Sequence, residues 1–177
     1  MKHLRLDELV AGKQSLPTSP TDAGTVDMIV VRNREDERTT PSSVELTREA
    51  GVQNDYWSDS SYFGHTEMQV SLMNKHVLNL VSGNDRNRWS LAGDNLVVDF
   101  DIGVENLPPG SRLAVGSAIL EISAKPHRGC SKFAGRYGSD AQRFVNIDDG
   151  PERRFRGVYA SVVEAGTIEV GSVIKKL

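Results

Sequence analysis

The sequence predicts a mainly β fold, a barrel or sandwich with a few short helices. Three observations predict it. The second half of the 177-residue chain holds many short runs rich in β-branched residues. Turn signals at Pro108-Pro109-Gly110, Gly116-Ser117 and Ala165-Gly166 separate several of them. Such short connections suit antiparallel hairpins, because parallel strands need long crossovers. The length fits one domain that can bury its own core. Residues 1–24 are expected to form a short helix and linker, and residues 25–177 the single β domain.

Taken in order, Leu4 to Val10 reads as a short amphipathic helix with Leu6, Leu9 and Val10 on one face, ended by Gly12. Ser15 to Gly24 is a polar connector containing proline. Thr25 to Arg32 reads as a strand, and the charged stretch Asn33 to Ser43 as a solvated loop or hairpin tip. Glu45 to His65 has poor periodicity, so it reads as mostly loop, folded over the core by Tyr56, Trp57, Tyr62 and Phe63. Glu67 to Met73 returns to a strand pattern. Asn74 is placed to cap a helix through Val77, Leu78 and Val81, closed by Gly83. Further extended segments are expected at Asn95–Phe100, Arg112–Val115, Ala118–Ser123, Gly157–Val163, Thr167–Val170 and Val173–Lys175. Ser139-Asp140 can cap a short helix carrying Ala141, Phe144 and Val145. Trp57, Trp89, Phe133 and Phe144 are assigned to the core, where aromatics contribute most of their burial.

Composition narrows the function. Lys and Arg total 21 against 24 Asp and Glu, a formal net charge of −3. Bulk electrostatics therefore do not favour nucleic acid, and an anion site must come from local clustering. No apolar run approaches the ~20 residues of a membrane span. The charged start, Met1 to Leu9, has no signal-peptide core. A single cysteine makes neither an internal disulfide nor a zinc ribbon, which points to a reducing, cytoplasmic location. The sequence holds no Walker loop, no G-x-G-x-x-G after a strand and no G-x-S-x-G elbow. His3, His65, His76 and His127 lack close metal-ligand spacing. Asp55, Asp59 and His65 can in principle meet at a cation, but turn-forming Asp and a surface His are the simpler reading. Asp148-Asp149 and Glu35-Asp36-Glu37 fall in predicted turns, where solvated charge is the default.

The one cysteine, Cys130, lies in the most basic short stretch, which runs from Lys125 through Pro126, His127, Arg128, Gly129, Cys130, Ser131, Lys132 and Phe133 to Arg136. The thiolate is the reactive form of cysteine, and nearby cations lower a thiol pKa from its usual ~8.5. The same charges attract an anion. A hydrolase-type pair with His127 needs a turn at Gly129, because residues three apart on an extended segment face opposite ways. Nothing marks the orienting Asn or oxyanion hole such a pair uses. Lys132, Arg136 and Arg143 stand between anion binding and surface solubility. His127 stands between turn residue and pocket lining. Arg153, Arg154 and Arg156 follow Asp148, Asp149 and Glu152, which can absorb them by local pairing. For Asp94, Asn95 and Asn146 the default is turn chemistry.

The segment Pro126 to Phe133, continuing to Arg136-Tyr137-Gly138, resembles the cysteine motif of MOSC domains. These domains end the molybdenum-cofactor sulfurases and also occur as stand-alone bacterial proteins. Gln69 to Asn74 resembles the family's strand-to-helix step, and Leu91-Ala92-Gly93-Asp94-Asn95-Leu96 its "GDNL" turn. Arg156 to Ala160, with Gly166-Thr167 and Val170-Gly171, resembles its closing hairpin. The resemblance spans roughly residues 25 to 175 and implies a MOSC-like β-barrel with a few short peripheral helices. It also implies sulfur handling around the molybdenum cofactor, with Cys130 as persulfide carrier or molybdenum-facing ligand. Lys132, Arg136 and Arg143 would then meet the pterin phosphate, whose oxygens suit multiple N–H donors. His127, Arg128, Asp94 and Asn95 complete the implied cofactor-binding set.

Two departures from the family pattern stand out. Asn54-Asp55 replaces a frequent Gly-Asp pair, although Asn tolerates the left-handed turn conformation. No pyridoxal-phosphate desulfurase domain precedes the motif, and the chain has no evident Schiff-base lysine, so that cofactor is not expected here. The implied partners are a cysteine desulfurase as sulfur donor, a molybdenum enzyme as recipient, and a reductase. Two other functions stay open: a component of a reductase system acting on N-hydroxylated compounds, and a non-enzymatic β-barrel whose basic loop captures an anion or an acidic partner segment.

Overall fold

In a computed structural model of the protein, residues 3–34 and 37–177 are described. Met1, Lys2, Glu35 and Asp36, which carry part of the charged start and of one carboxylate run, lie outside the described residues.

Seven strands close into a barrel. In chain order they are β1 (Ala23–Ile29), β6 (Val70–Asn74), β7 (Leu96–Asp99), β8 (Arg112–Val115), β9 (Ala118–Ile122), β10 (Val158–Glu164) and β12 (Val173–Lys176). Around the ring the order is β1-β12-β8-β9-β10-β6-β7, and β7 returns to β1. All neighbours run antiparallel except β6 and β7, which run parallel with Leu72 beside Leu96. That pair needs a crossover, supplied by α2 (Lys75–Val81) and a 3-10 helix (Arg86–Ala92). Outside the ring, β4 (Ser43–Thr47) pairs with β5 (Gly51–Val52) and with β11 (Gly166–Glu169). A small hairpin joins β2 (Val31–Arg32) to β3 (Arg38–Thr39).

Alternation along the strands fills the barrel. On β9 Ala118, Leu120 and Ile122 are buried, and on β10 Val158, Ala160 and Val162. They join Leu72, Leu96, Val98, Leu113 and Ile174 in one apolar cluster. A second cluster lies on the opposite side of the same wall, since Met73 and Val97 point the other way from Leu72 and Leu96. The helices α1 (Leu6–Lys13), α2, α3 (Ser131–Tyr137) and α4 (Ser139–Asn146) cover it, contributing Leu9, Leu78, Phe133, Tyr137, Phe144 and others. All four aromatics assigned to the core are buried.

Several elements depart from the sequence reading for physical reasons. Gly12 lies inside α1 instead of ending it, and the Leu80 side chain occupies the place a Cβ there would take. Leu9 is fully buried while Val10 is 40% exposed, so the packed face is narrower than expected. The expected loop Glu45 to His65 holds β5, the end of β4 and a 3-10 turn (Tyr56–Asp59). Val44 of β4 pairs with Ile168, a partner invisible to local periodicity. Glu67 to Met73 begins as a 3-10 turn (Thr66–Met68) and becomes strand only at Val70.

The helix at Asn74 forms as read. Its side-chain oxygen accepts from the N–H groups of His76 (2.9 Å) and Val77 (3.2 Å), while its amide donates to Ser19 Oγ (2.8 Å) and the Phe100 carbonyl (3.0 Å). The cap thus ties α2 to β7 and the N-terminal connector. Asn74→Ala should cost about 1–2 kcal/mol, which a urea melt can read. A loss below a few tenths would mean that water replaces the cap.

Candidate functional site: a buried ion pair beneath a cysteine loop

The site forms where the outer faces of β6, β7 and β10 meet the loop before α3. The turn Gly93-Asp94-Asn95 leads into β7, with Gly93 at φ +77. Asp94 is fully buried, and Arg156 Nη1 donates to its Oδ2 at 2.6 Å. The Arg156 side chain is only 8% exposed. Its guanidinium also contacts the Ala92 carbonyl (3.3 Å) and lies 4.9 Å from the Phe133 ring centre. Burial pushes the Asp94 carboxyl up, while Arg156 and then Arg32 pull it back. The 2.6 Å contact is that of a charge-assisted hydrogen bond.

Asn95 is the hub of a second buried network. Its Oδ1 accepts from Ser71 N (3.1 Å) and Ser71 Oγ (3.2 Å), and its amide donates to Asp55 Oδ2 (3.0 Å). Asp55 in turn takes Arg32 Nε and Nη2. Asn54, just before it, adopts the left-handed conformation at φ 62, so the turn survives the replacement of glycine. Default turn chemistry therefore understates Asp94 and Asn95, whose side chains join distant elements.

His127 stacks on Tyr159, with ring centres 4.0 Å apart, and its side chain is 6% exposed. Its Nδ1 lies 3.6 Å from Asp94 Oδ1, too far for a hydrogen bond, and both atoms lack a hydrogen-bond partner among the described residues. Gly157 sits against this pair at φ +102, where a Cβ would run into the Leu72 carbonyl. Burial first, then Arg156 and Arg32, holds His127 well below the ordinary imidazole range. The ring is neutral at neutral pH. The unfolded chain takes up this proton near pH ~6.5 and the folded chain does not. Stability from this group is therefore complete above pH ~6.5 and falls as pH drops, by up to about 1.4 kcal/mol per pH unit. Urea melts in steps from pH 7 downward should show that limb (~1.4 kcal/mol per unit at most), and His127→Gln should flatten it. An equally steep limb in the variant would place the acid sensitivity elsewhere.

Cys130 is exposed and occupies the N-cap position of α3. The residue before it is clamped by α4. Asn146 Oδ1 accepts from Gly129 N (2.9 Å), and Asn146 Nδ2 (3.0 Å) and Gln142 Nε2 (3.1 Å) donate to its carbonyl. A Cβ on Gly129 would lie 2.9 Å from Val145 Cγ2, so only glycine fits the clamp without a shift. The other sequence-selected cations differ in exposure. Arg128, Lys132 and Arg143 are exposed, whereas Arg136 is half-buried with Nη1 on the Leu91 carbonyl (3.1 Å). Cys130, Arg128 and Lys132 thus lie on one exposed stretch of chain, next to the half-buried His127. Asp55, Asp59 and His65 form no metal-holding group among the described residues.

Arg156 is the site residue that sequence reasoning missed. Nearby acids accounted for it, yet its partner is Asp94, while Asp149 binds Lys13 (2.8 Å) and Arg153 (3.6 Å).

A closed, mostly antiparallel barrel with an exposed cysteine loop over a buried Asp–Arg pair defines a class of protein. The sequence profile of the MOSC domain matches residues 59–175, and the chain belongs to that family. The fold agrees with solved structures of low sequence identity. The YuaD protein from Bacillus subtilis aligns with TM-score 0.64 at 16% identity, covering 87% of this chain and 95% of that one. YiiM from Escherichia coli aligns with TM-score 0.58 at 14% identity, covering 86% and 69%. No curated protein sequence matches the chain. MOSC domains are associated with molybdenum-cofactor binding and sulfurase function. No helix among the described residues is long and apolar enough to cross a membrane.

The donor set suits the family's cofactor. An exposed thiol can face a soft metal. Exposed Arg128, Lys132 and Arg143 can meet a phosphate. Asp94 and Asn95 sit too deep to touch a ligand on the surface and act through the elements they join.

Proposed function

We propose that this protein handles sulfur for the molybdenum cofactor through Cys130, as a persulfide acceptor or as a ligand facing the metal. The observation that carries the reading is the placement of Cys130. The one thiol of the chain is exposed, at the start of a helix, on a loop whose preceding peptide is fixed at both its N–H and its carbonyl.

The sulfur step balances without an outside oxidant. The Cys130 thiolate attacks the outer sulfur of a donor persulfide. The donor's S–S bond breaks, a new S–S bond forms on Cys130, and the donor leaves as a thiolate. A cysteine desulfurase suits the role of donor and keeps the pyridoxal phosphate on its own chain. A molybdenum enzyme suits the role of recipient. Bound at this surface, the pterin cofactor would supply a redox-active molybdenum centre. Arg128, Lys132 and Arg143 would hold its phosphate, while the clamp on Gly129 keeps the thiol in place.

Incubation with a cysteine desulfurase and cysteine, followed by mass spectrometry, tests the reading. The expected result is one added sulfur on the peptide carrying Cys130. Absence of that adduct, together with failure to bind the pterin cofactor, would overturn it.

A further inference from the structure

Between the Lys125–Gly129 loop and the turn from Pro151 to Arg154 lies a cavity of about 270 Å³. Lys125, Arg128 and Arg154 line it, against Glu152 in the wall and Glu67, whose Oε1 lies 3.7 Å from Lys125 Nζ. This is a local positive surplus in a chain of net charge −3. The remaining wall is largely apolar, with Pro126, Val145 and Val158.

Arg154 is the informative member. Its Nη1 donates to the carbonyls of Ile102 (3.0 Å) and Leu107 (2.7 Å). Those bonds hold the guanidinium still but do not neutralise it. Its neighbour Arg153 pairs with Asp149, yet among the described residues Arg154 makes no ion pair. The residue is half-buried, and burial alone lowers its pKa. Its backbone sits at φ +50, a left-handed conformation that costs an arginine about 1–2 kcal/mol. Proteins rarely bury a cation without a counter-charge, and strained backbone persists where surrounding structure holds it for a purpose.

We propose that this cavity is a binding site for a compact oxyanion, a phosphate or carboxylate on a short carbon body. Arg154 is the fixed donor, and Lys125 and Arg128 close over the bound group. The volume falls just below the ~300–1,000 Å³ usual for whole small-molecule ligands, so it suits a small anion and not an entire pterin cofactor. Cys130 does not line the cavity. The inference therefore goes beyond the sulfur reading, with which it shares only Arg128.

Isothermal titration of the full chain with inorganic phosphate and with acetate, at fixed ionic strength, tests the site. Saturable binding of at least one anion is expected, and the two arms tell phosphate from carboxylate. Lys125→Ala, an exposed position, should weaken it several-fold, and Arg154→Gln by roughly tenfold or more. Arg112→Ala, on the far strand β8, should leave it unchanged. Should Arg154→Gln fail to fold, Lys125→Ala still decides. Unsaturable uptake of both anions, or wild-type affinity in Lys125→Ala and in any folded Arg154→Gln, would overturn the site. Lys125→Ala should also still accept sulfur on Cys130, so the two proposals fail separately.

Discussion

Asp94→Ala should cost about 3–5 kcal/mol, because it strips the counter-charge from a buried guanidinium. Arg156 would keep only the Ala92 carbonyl at 3.3 Å and the face of Phe133, with Nε already lacking a partner. Domains of this kind are stable by only about 5–15 kcal/mol, so the loss would show as a large shift of the urea midpoint. Asp94→Asn retains an acceptor and should lose less. The double variant Asp94→Ala with Arg156→Met should recover much of the loss, since replacing both charges by apolar groups is often neutral. Recovery would show that the single variant suffers from a stranded charge. A single-variant loss under about 1 kcal/mol would mean that water reaches Arg156 and that the pair is not sealed.

Cys130→Ser should have the opposite profile. The side chain is exposed and caps no helix N–H, so stability should change by less than about 0.5 kcal/mol. Sulfur acceptance should vanish, since a serine hydroxyl cannot form a persulfide. Mass spectrometry of the desulfurase reaction reads the chemistry, and a urea melt on the same sample reads the fold. Sulfur retained by the serine variant would move the chemistry off Cys130. Together the two substitutions separate the buried pair, which supports the loop, from the thiol that the loop presents.

Much of this was legible where structure follows local pattern. Strands β8, β9 and β10 alternate cleanly, and Asn74 announces its helix through side-chain capping. The resemblance around Cys130 and the "GDNL" turn led to the right family. What escaped depended on distant partners. Helix α3 reads as a basic loop, with Gly135 inside and Gly138 behind it. It forms because Phe133 and Tyr137, four apart, bury one face while the Tyr137 hydroxyl donates to the Arg88 carbonyl at 2.6 Å. Strand β4 exists through its pairing with β11 across more than a hundred residues. Arg156 finds Asp94 62 positions away, while the nearer Asp149 is engaged by Lys13 and Arg153.

The ring of strands has one further consequence, for how the chain is born. Strand β1 pairs on one edge with β7 and on the other with β12, the last strand of the barrel to be made. During synthesis β1 can meet β7 early, but its other edge stays open until β12 has cleared the ribosome. Pairings so distant in sequence are slow to form, because loop-closure entropy comes before the contacts that offset it. An open edge is a template for wrong pairing with another chain. The nascent barrel is therefore most exposed to aggregation in the interval between the two pairings of β1, and that interval ends only after translation of the domain is complete.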